Sequence, residues 1–509
     1  MRRGRAARAE RSDGITAIGP GPVGGAFKPL TDPDILRIHQ AVLEVLETVG
    51  MGDPIPIVRE HALARGCRID EDGRLRFPRA LVEDHIAAAA RDLHFCGREP
   101  SLDLDLSGQR VHTFGGGDAV TVLDPDATRF RPSTLEDVYD VARLVDRMEN
   151  IHGFARLVTA TEFRDQLACD LNTAYASVAG TAKNVRLTFA DARNVDPVLE
   201  MLHMVAGGRE KFEARPFCHG GGCPVISPLR YGVENSEVCI ASTRFNAPVW
   251  VVVAPQAGAT APAALAGTLV QVVAEAIACL LMVNLVVPRH PVIIGAWPFV
   301  SDLRTGAFTG GGGEEAVVSA AAAQMIKWYG LTCSVGAGMT DAKCPDNQAG
   351  YEKGIAIALA AQAGCNNISE SAGMVGSLMG LSYESLVIDN DMLGTVLHTV
   401  RGIEVNEDTL SVDVIRAAVR GEGHYLRQDQ TLALMRSEYA YPRLADRRTP
   451  GEWEDAGSPD IREQAAVRVR EILSSHYPQY IAPDIDRRLR ERYAITLPEH
   501  AMRPGNGRW

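Results

Sequence analysis

The sequence predicts an α/β fold, a (β/α)8 TIM-type barrel with helical additions at both ends. Two observations carry this. From about residue 153, short apolar runs alternate with helix-length segments, the pattern of successive βαβ units and a parallel sheet. Neither "FGGGDAV" nor "TGGGGEE" has G-x-G-x-x-G spacing followed by an acidic ribose reader, which argues against the competing doubly wound sheet.

The predicted strands are "GFARLVTA" (153–160), "NVRLTFA" (184–190), "RPFCHGGG" (215–222), "VWVVVAP" (249–255), "PVIIGAW" (291–297), "TCSVGAG" (332–338) and "NNISESA" (366–372). Helices are expected near 134–148, 163–178, 194–206, 231–243, 263–286, 314–329, 347–363 and 383–400. An eighth strand is either "RVHTFGG" (110–116) or "AVTVLD" (119–124), and eight units fit a barrel. The expected division is a disordered basic tail over 1–27, an N-terminal helical segment over 28–110, the barrel over 111–403 and a C-terminal helical segment over 404–509. Amphipathic "TDPDILRIHQAVLEVLETVG" and "DIREQAAVRVREILSSH" are the clearest flanking helices.

Composition narrows the class. Hydrophobic residues at 46% and charged residues at 23% of 509 are globular values. A net charge of −12 argues against a nucleic-acid partner. Ten scattered cysteines point to reduced thiols and a cytoplasmic location. The most apolar stretch, 262–288, is interrupted by Gln271, Glu275 and Asn284. Each would be costly in lipid, so a buried helix is expected and no membrane partner.

Barrel chemistry lies at the C-terminal ends of strands. The polar residues there are His219 with Gly220, Gly221 and Gly222; Gln256; Trp297 and Phe299; Met339, Asp341 and Lys343; and Ser369 with Glu370. Tyr383 opens the following helix. Each has a plainer reading. Asp341 and Asp346 fit helix caps, Lys343 a solvated loop residue, and the aromatics core packing. Lys343 as a Schiff-base lysine, and "CHGGGC" (Cys218, His219, Cys223) as a zinc site, are the competing chemistries. The C-x4-C spacing is poor for zinc, and no metal is expected.

Four stretches, "VAPQAGATAPAALAGTLVQ", "MTDAKCPDNQAGYEK", "SYESLVIDNDMLG" and "RGIEVNEDTL", together resemble the trimethylamine/quaternary-amine:corrinoid methyltransferase family over roughly 28–490. The resemblance implies methyl transfer from a methylated amine to the Co(I) of a separate corrinoid protein. It implies a cobalamin supplied by that partner, and no tightly bound cofactor in this chain.

Relatives that use trimethylamine carry pyrrolysine in this region, and Met339 falls at or beside that position. A quaternary ammonium expels a neutral tertiary amine and needs no covalent activation, so a chain lacking pyrrolysine is expected to be a glycine-betaine-methyltransferase-like member. The expected cage for the ammonium is Trp297, Phe299, Tyr383 and Phe114, with Asp341 or Glu370 as counter-charge. Lys343, His219, Gln256 or the amides of 220–222 would hold a betaine carboxylate. Met339 is expected as an inert, polarisable wall. Ser369 stands where a histidine is frequent in the family. If that histidine holds a carboxylate, the substrate differs from glycine betaine. A non-catalytic betaine-binding protein is the remaining alternative, and a homo-oligomer is expected.

Overall fold

The computed structural model describes residues 16–509. Eight parallel strands lie at its centre: β1 (His112–Thr113), β2 (Phe154–Ala155), β3 (Val185–Thr188), β4 (Cys218–Gly222), β5 (Val249–Val253), β6 (Val292–Ala296), β7 (Cys333–Gly336) and β8 (Asn367–Ser369). Each pairs with its sequence neighbour from β2 to β8, and β8 pairs with β1. A parallel bridge between Phe114 and Gly153 joins β1 to β2 and closes the ring. Gly153 permits this closure, because a Cβ there would lie 2.1 Å from the Phe114 ring. Of the two candidate first strands, 110–116 supplies β1. Thr121–Leu123 instead joins a small four-stranded sheet above the barrel.

A helix follows each strand: α1 (Leu135–Asp146), α2 (Gln166–Gly180), α3 (Val195–Ala206), α4 (Val233–Ser242), α5 (Leu265–Val286), α6 (Gly313–Trp328), α7 (Asn347–Gln362) and α8 (Tyr383–Arg401). Their starts follow local chemistry. A capping box of Thr134 and Asp137 opens α1. Asp165 accepts from Ala168 N at 2.7 Å and Asp346 from Ala349 N at 3.1 Å, opening α2 and α7.

The apolar helix α5 is long enough to cross a membrane, but its most apolar window is 89% buried inside the protein. It packs on β5 and β6 inside, and on the N-terminal helices Asp32–Thr48, Pro56–Leu63 and Arg79–Ala88 outside. Its interrupting polar residues are all satisfied. Glu275 accepts from Leu229 N at 2.8 Å and Ser227 Oγ at 2.7 Å, Gln271 donates to Thr260 O at 2.8 Å, and Asn284 donates to His290 O at 3.0 Å.

The expectation of a disordered tail over 1–27 needs correction. Residues 1–15 lie outside the described residues. From Ile18 the chain is pinned to the barrel base: Val111 N donates to Pro22 O, Gly24 N to Gln109 O, and Gly25 N and Phe27 N to Gln362 O. Between the N-terminal helices and the barrel, a hairpin of His94–Phe95 and Leu104–Asp105 brings Phe95 under the ring. Phe95 stacks on His219 with centroids 4.0 Å apart and meets Phe114 edge-on. This closes the base and leaves the mouth, at the strand C-termini, as the open end.

At the other terminus, the helix Ile461–Ser475 packs against α8 and α1. Arg143 of α1 donates to Leu473 O and His476 O at 3.0 and 2.8 Å. The helical additions are therefore packed onto the barrel through specific hydrogen bonds.

Candidate active site

A cavity of about 630 Å3 opens at the mouth of the barrel. Its wall takes residues from within or just beyond every barrel strand except β7, among them Asp118, Arg156, Arg186, Cys223, Trp250, Trp297 and Glu370. Phe163, Phe189 and Phe299 add apolar surface.

Glu370 and Arg186 form its centre. Arg186 projects from β3 and is buried. Its guanidinium lies 3.7 Å from the centre of the Trp250 ring and donates to Ser369 Oγ at 3.0 Å. It approaches Glu370 Oε1 at 3.6 Å, too long for a hydrogen bond. The second carboxylate oxygen, Glu370 Oε2, is buried and has no partner. Burial outweighs the nearby arginine and pushes the Glu370 carboxyl up to about 8. Arg186 is pushed down from its ordinary value by the same burial.

The backbone is shaped to present this carboxyl. Glu370 has φ +57°, the left-handed region, costly for a side chain of its size. Ser371 N donates to Phe114 O at 3.0 Å and Gly373 N to Asp389 Oδ2 at 2.8 Å, which hold the turn in place. Opposite, Gly117 has φ +124°, and a Cβ there would lie 2.9 Å from Glu370 Oε2 and 2.1 Å from Met374 Sδ. Glycine is needed there for the loop beyond β1 to pass over the carboxyl.

Aromatic rings complete the pocket. Trp250 and Trp297 meet at 5.5 Å and 61°, and Trp297 and Phe299 at 6.2 Å. Both indole Nε1 atoms are buried without a partner. Asp118 accepts from Arg156 Nε at 2.5 Å on the same wall. The lining carries three arginines (156, 164, 186) and four carboxylates (118, 165, 170, 370), a balance of −1 when Glu370 is ionised.

Of the residues singled out in the sequence, Glu370, Trp297 and Phe299 stand on this wall. Ser369 lies just below and positions Arg186. The others are placed elsewhere. Phe114 is core, between Phe95 and Gly153. His219 is a base residue held by Asn184 Oδ1 at 2.8 Å, and burial keeps its imidazole well below the usual range, hence neutral. Gln256 Oε1 accepts from Ser301 Oγ at 3.2 Å in a short sheet over the mouth. The cage role expected for Tyr383 is corrected: its ring packs on Trp509 and its hydroxyl donates to Asp137 at 2.8 Å, outside the cavity. Met339 is fully buried with its side chain starting beneath Gly310, so it is not a wall of this cavity.

Asp341 accepts from Gly310 N at 2.8 Å and Ser377 Oγ at 2.5 Å, and ties loops together. Lys343 is exposed and donates to Asp341 O at 2.6 Å, so it is not poised as a Schiff-base lysine. The zinc alternative loses its ligand set: Cys218 opens β4 and Cys223 follows its last residue, some ~16 Å apart along an extended strand.

Arg186, Trp250, Asp118 and Arg156 were missed in the sequence. Arg186 had a signal, as the one charge inside the apolar run "VRLTFA". Trp250 in "VWVVV" had none, because both faces of a barrel strand are buried.

A closed barrel with one deep, aromatic, carboxylate-bearing mouth is a small-molecule enzyme scaffold by architecture. Sequence comparison gives the chemistry. A family model described as trimethylamine methyltransferase (MTTB) matches residues 1–496. The chain belongs to this methyltransferase family. It is 31% identical over 473 residues to trimethylamine methyltransferase MttB of Desulfitobacterium hafniense, covering 93% of this chain and 94% of that protein. It is 33% identical to MttB of Methanosarcina thermophila, over 89% of this chain and 94% of that one. A glycine betaine methyltransferase of Desulfitobacterium hafniense is 27% identical, over 91% of this chain and 96% of that one. Among solved structures, a hydroxylamine complex of MtmB superposes with a TM-score of 0.50 at 12% identity, covering 89% of this chain and 94% of that one. That likeness concerns the fold alone.

Proposed function

We propose that this methyltransferase takes its methyl group from a quaternary ammonium of the betaine class and passes it to a corrinoid carried by a separate protein. The observation that carries the proposal is Glu370 Oε2: a buried carboxylate oxygen without a partner, set among Trp250, Trp297 and Phe299. A quaternary ammonium has no N–H to donate. It is held by ring faces and by a carboxylate that needs no directional contact. The ammonium of such a substrate offsets the ionised Glu370, while the zwitterion as a whole adds no net charge to the wall. At the rim Arg164 makes no ion pair among the described residues and is available to a substrate carboxylate. Ten free cysteines accord with a reducing, cytoplasmic setting.

The corrinoid supplies the nucleophile for an in-line displacement at the methyl carbon. This chain's residues do the rest. The rings and Glu370 fix the nitrogen so that one N–CH3 bond faces the open mouth. Arg186, clamped by Trp250 and Ser369, stands 3.6 Å from Glu370 Oε1 and favours its ionised form by charge. When the methyl group departs, the nitrogen becomes a neutral amine and Glu370 loses its counter-charge. With its carboxyl near 8 in the cation-free site, Glu370 Oε2 takes up a proton from solvent once the amine has left.

The test is anaerobic methylation of cob(I)alamin over a panel of glycine betaine, proline betaine, carnitine, choline and trimethylamine. Turnover of a quaternary member and none of trimethylamine is expected. Trimethylamine turnover equal to the best quaternary amine would overturn the reading.

A further inference from the structure

Two of the stretches that carry the family likeness, "MTDAKCPDNQAGYEK" (339–353) and "SYESLVIDNDMLG" (382–394), give no residue to the cavity wall. They meet behind it. Lys353, the last residue of the first, lies on α7, and Asp389 of the second lies on α8. Lys353 Nζ donates to Asp389 Oδ2 at 2.6 Å, and the two side chains are only 1% and 7% exposed. Burial raises the Asp389 carboxyl from its ordinary value, and the lysine opposes that rise.

Tying α7 to α8 does not require such a pair. Apolar side chains of similar volume serve as well or better, because two charges lose their hydration on burial. What apolar side chains cannot supply is an acceptor. Asp389 Oδ2 also accepts from Gly373 N at 2.8 Å, and Gly373 ends the turn that carries Glu370.

That turn has little freedom. Ser371 N and Oγ both donate to Phe114 O, at 3.0 and 2.7 Å, and hold its front. From below, the loop beyond β7 comes so close that a Cβ on Gly338 would lie 2.2 Å from Glu370 O. Above, a Cβ on Gly116 would lie 2.6 Å from Glu370 Oε1. Glu370 and Gly373 both have left-handed φ, +57° and +86°. For a side chain as large as that of Glu370, this persists only where the surroundings enforce it. Among the described residues, Asp389 is the one side chain that accepts a backbone N–H of this turn.

We infer that Lys353 and Asp389 are positioning residues for Glu370. Lys353 orients the Asp389 carboxylate, and Asp389 holds the turn at Gly373 so that Glu370 stands on the cavity wall with Oε2 open. The inference rests on the reading of Glu370 as the group that faces the substrate ammonium.

The experiment is titration calorimetry at pH 9, above the Glu370 midpoint near 8, with two probes of one shape: choline and its uncharged isostere 3,3-dimethylbutan-1-ol. The wild type is expected to prefer choline. The ratio of the two Kd values reads the Glu370 carboxylate, and a general loss of stability does not move it. Two double variants each remove both charges, so neither leaves a buried charge unpaired. Lys353→Met/Asp389→Asn keeps an acceptor for Gly373 N, and the preference should stay within about threefold of wild type. Lys353→Met/Asp389→Leu removes the acceptor, and the preference should fall by about tenfold or more. If the leucine variant does not fold, Asp389→Glu decides: it keeps the ion pair, displaces the carboxylate by one methylene, and should lower the preference by about threefold or more.

A folded leucine variant, or in its place a folded Asp389→Glu, that keeps the wild-type preference overturns the inference. Equal losses in the asparagine and leucine variants overturn it too, since the acceptor would then not be what matters. Glu370→Gln separates this inference from the reading beneath it. If Glu370→Gln abolishes the preference while the leucine variant keeps it, the positioning role alone falls. If the wild type has no preference, or Glu370→Gln retains it, the reading of Glu370 falls and the positioning role with it.

Discussion

The loops that follow β7 and β8 both carry carboxylates, and they differ in what those carboxylates have left to bind. After β7, Asp341 accepts from Gly310 N and Ser377 Oγ. Glu352 accepts from Thr340 Oγ1, Asp341 N and Gln348 Nε2. Lys343 and Asp346 close local turns. After β8, Glu370 keeps Oε2 unpartnered in the interior, on a backbone at φ +57°. The β7 loop is dense in charge, but the acceptors named there are engaged within the fold. The β8 loop holds one carboxyl and leaves it open. A buried polar group without a partner is costly, and strain is kept where function demands it. Of these two loops, the one whose carboxyl keeps an open acceptor on the cavity wall marks the site, rather than the one denser in charge.

That comparison is broken most sharply by Glu370→Gln. If Glu370 holds the ammonium, kcat/KM falls by about 2–5 kcal/mol, roughly 30- to 5,000-fold. Thermal unfolding should change little, because an amide suits a buried, uncharged position. Steady-state rates beside a melting curve decide it, and a variant within a few-fold of wild type would remove Glu370 from the site.

The next effect is on pH. In the cation-free protein the Glu370 carboxyl lies near 8, raised by burial. Binding a cation requires the carboxylate, so the substrate Kd should rise by up to ~10-fold for each pH unit below about 8 and be flat above it. Titration calorimetry across pH 6–9 measures this, and Glu370→Gln should abolish the slope. The stability term has the opposite sense. A raised folded-state carboxyl favours the fold fully at low pH, and that contribution is lost as pH rises from the ordinary 4.5 through about 8.

A smaller effect is expected at Trp297→Phe. Loss of the indole face costs about 0.5–2 kcal/mol of ammonium binding, up to roughly tenfold or somewhat more in Kd, with the fold retained. Lowered melting temperature with unchanged Kd would make Trp297 a core residue. Tyr383→Phe is the internal contrast: it loses the bond to Asp137, about 1 kcal/mol of stability, and leaves Kd alone.

The smallest effect on chemistry belongs to the β7 loop. Asp341→Ala should lower stability by about 1–3 kcal/mol, since Gly310 N and Ser377 lose their acceptor. With substrate saturating, kcat of the folded fraction should stay within a few-fold of wild type. A collapse of kcat at full folding would restore the β7 loop to the site.

The order of elements was legible in the sequence because it depends on local periodicity. Apolar runs such as "VWVVV" and "PVIIGA" alternate with helices opened by Thr134, Asp165 and Asp346, and such alternation leaves few foldable topologies. Trp297 and Phe299 were legible too, because they immediately follow a barrel strand. The partners of a side chain were not. Tyr383 stands at a helix start like a site residue, yet its hydroxyl is taken by Asp137, 246 residues earlier. His219 lies in a strand beside glycines, yet its ring is stacked on Phe95 at the base. Arg186 and Trp250 stack on each other in the pocket wall only because closure of the ring turns β3 and β5 toward the same mouth. Periodicity fixes which residues form strands and helices. Which polar atoms remain unsatisfied is a property of the finished packing, because hydrogen bonds over hundreds of residues decide it.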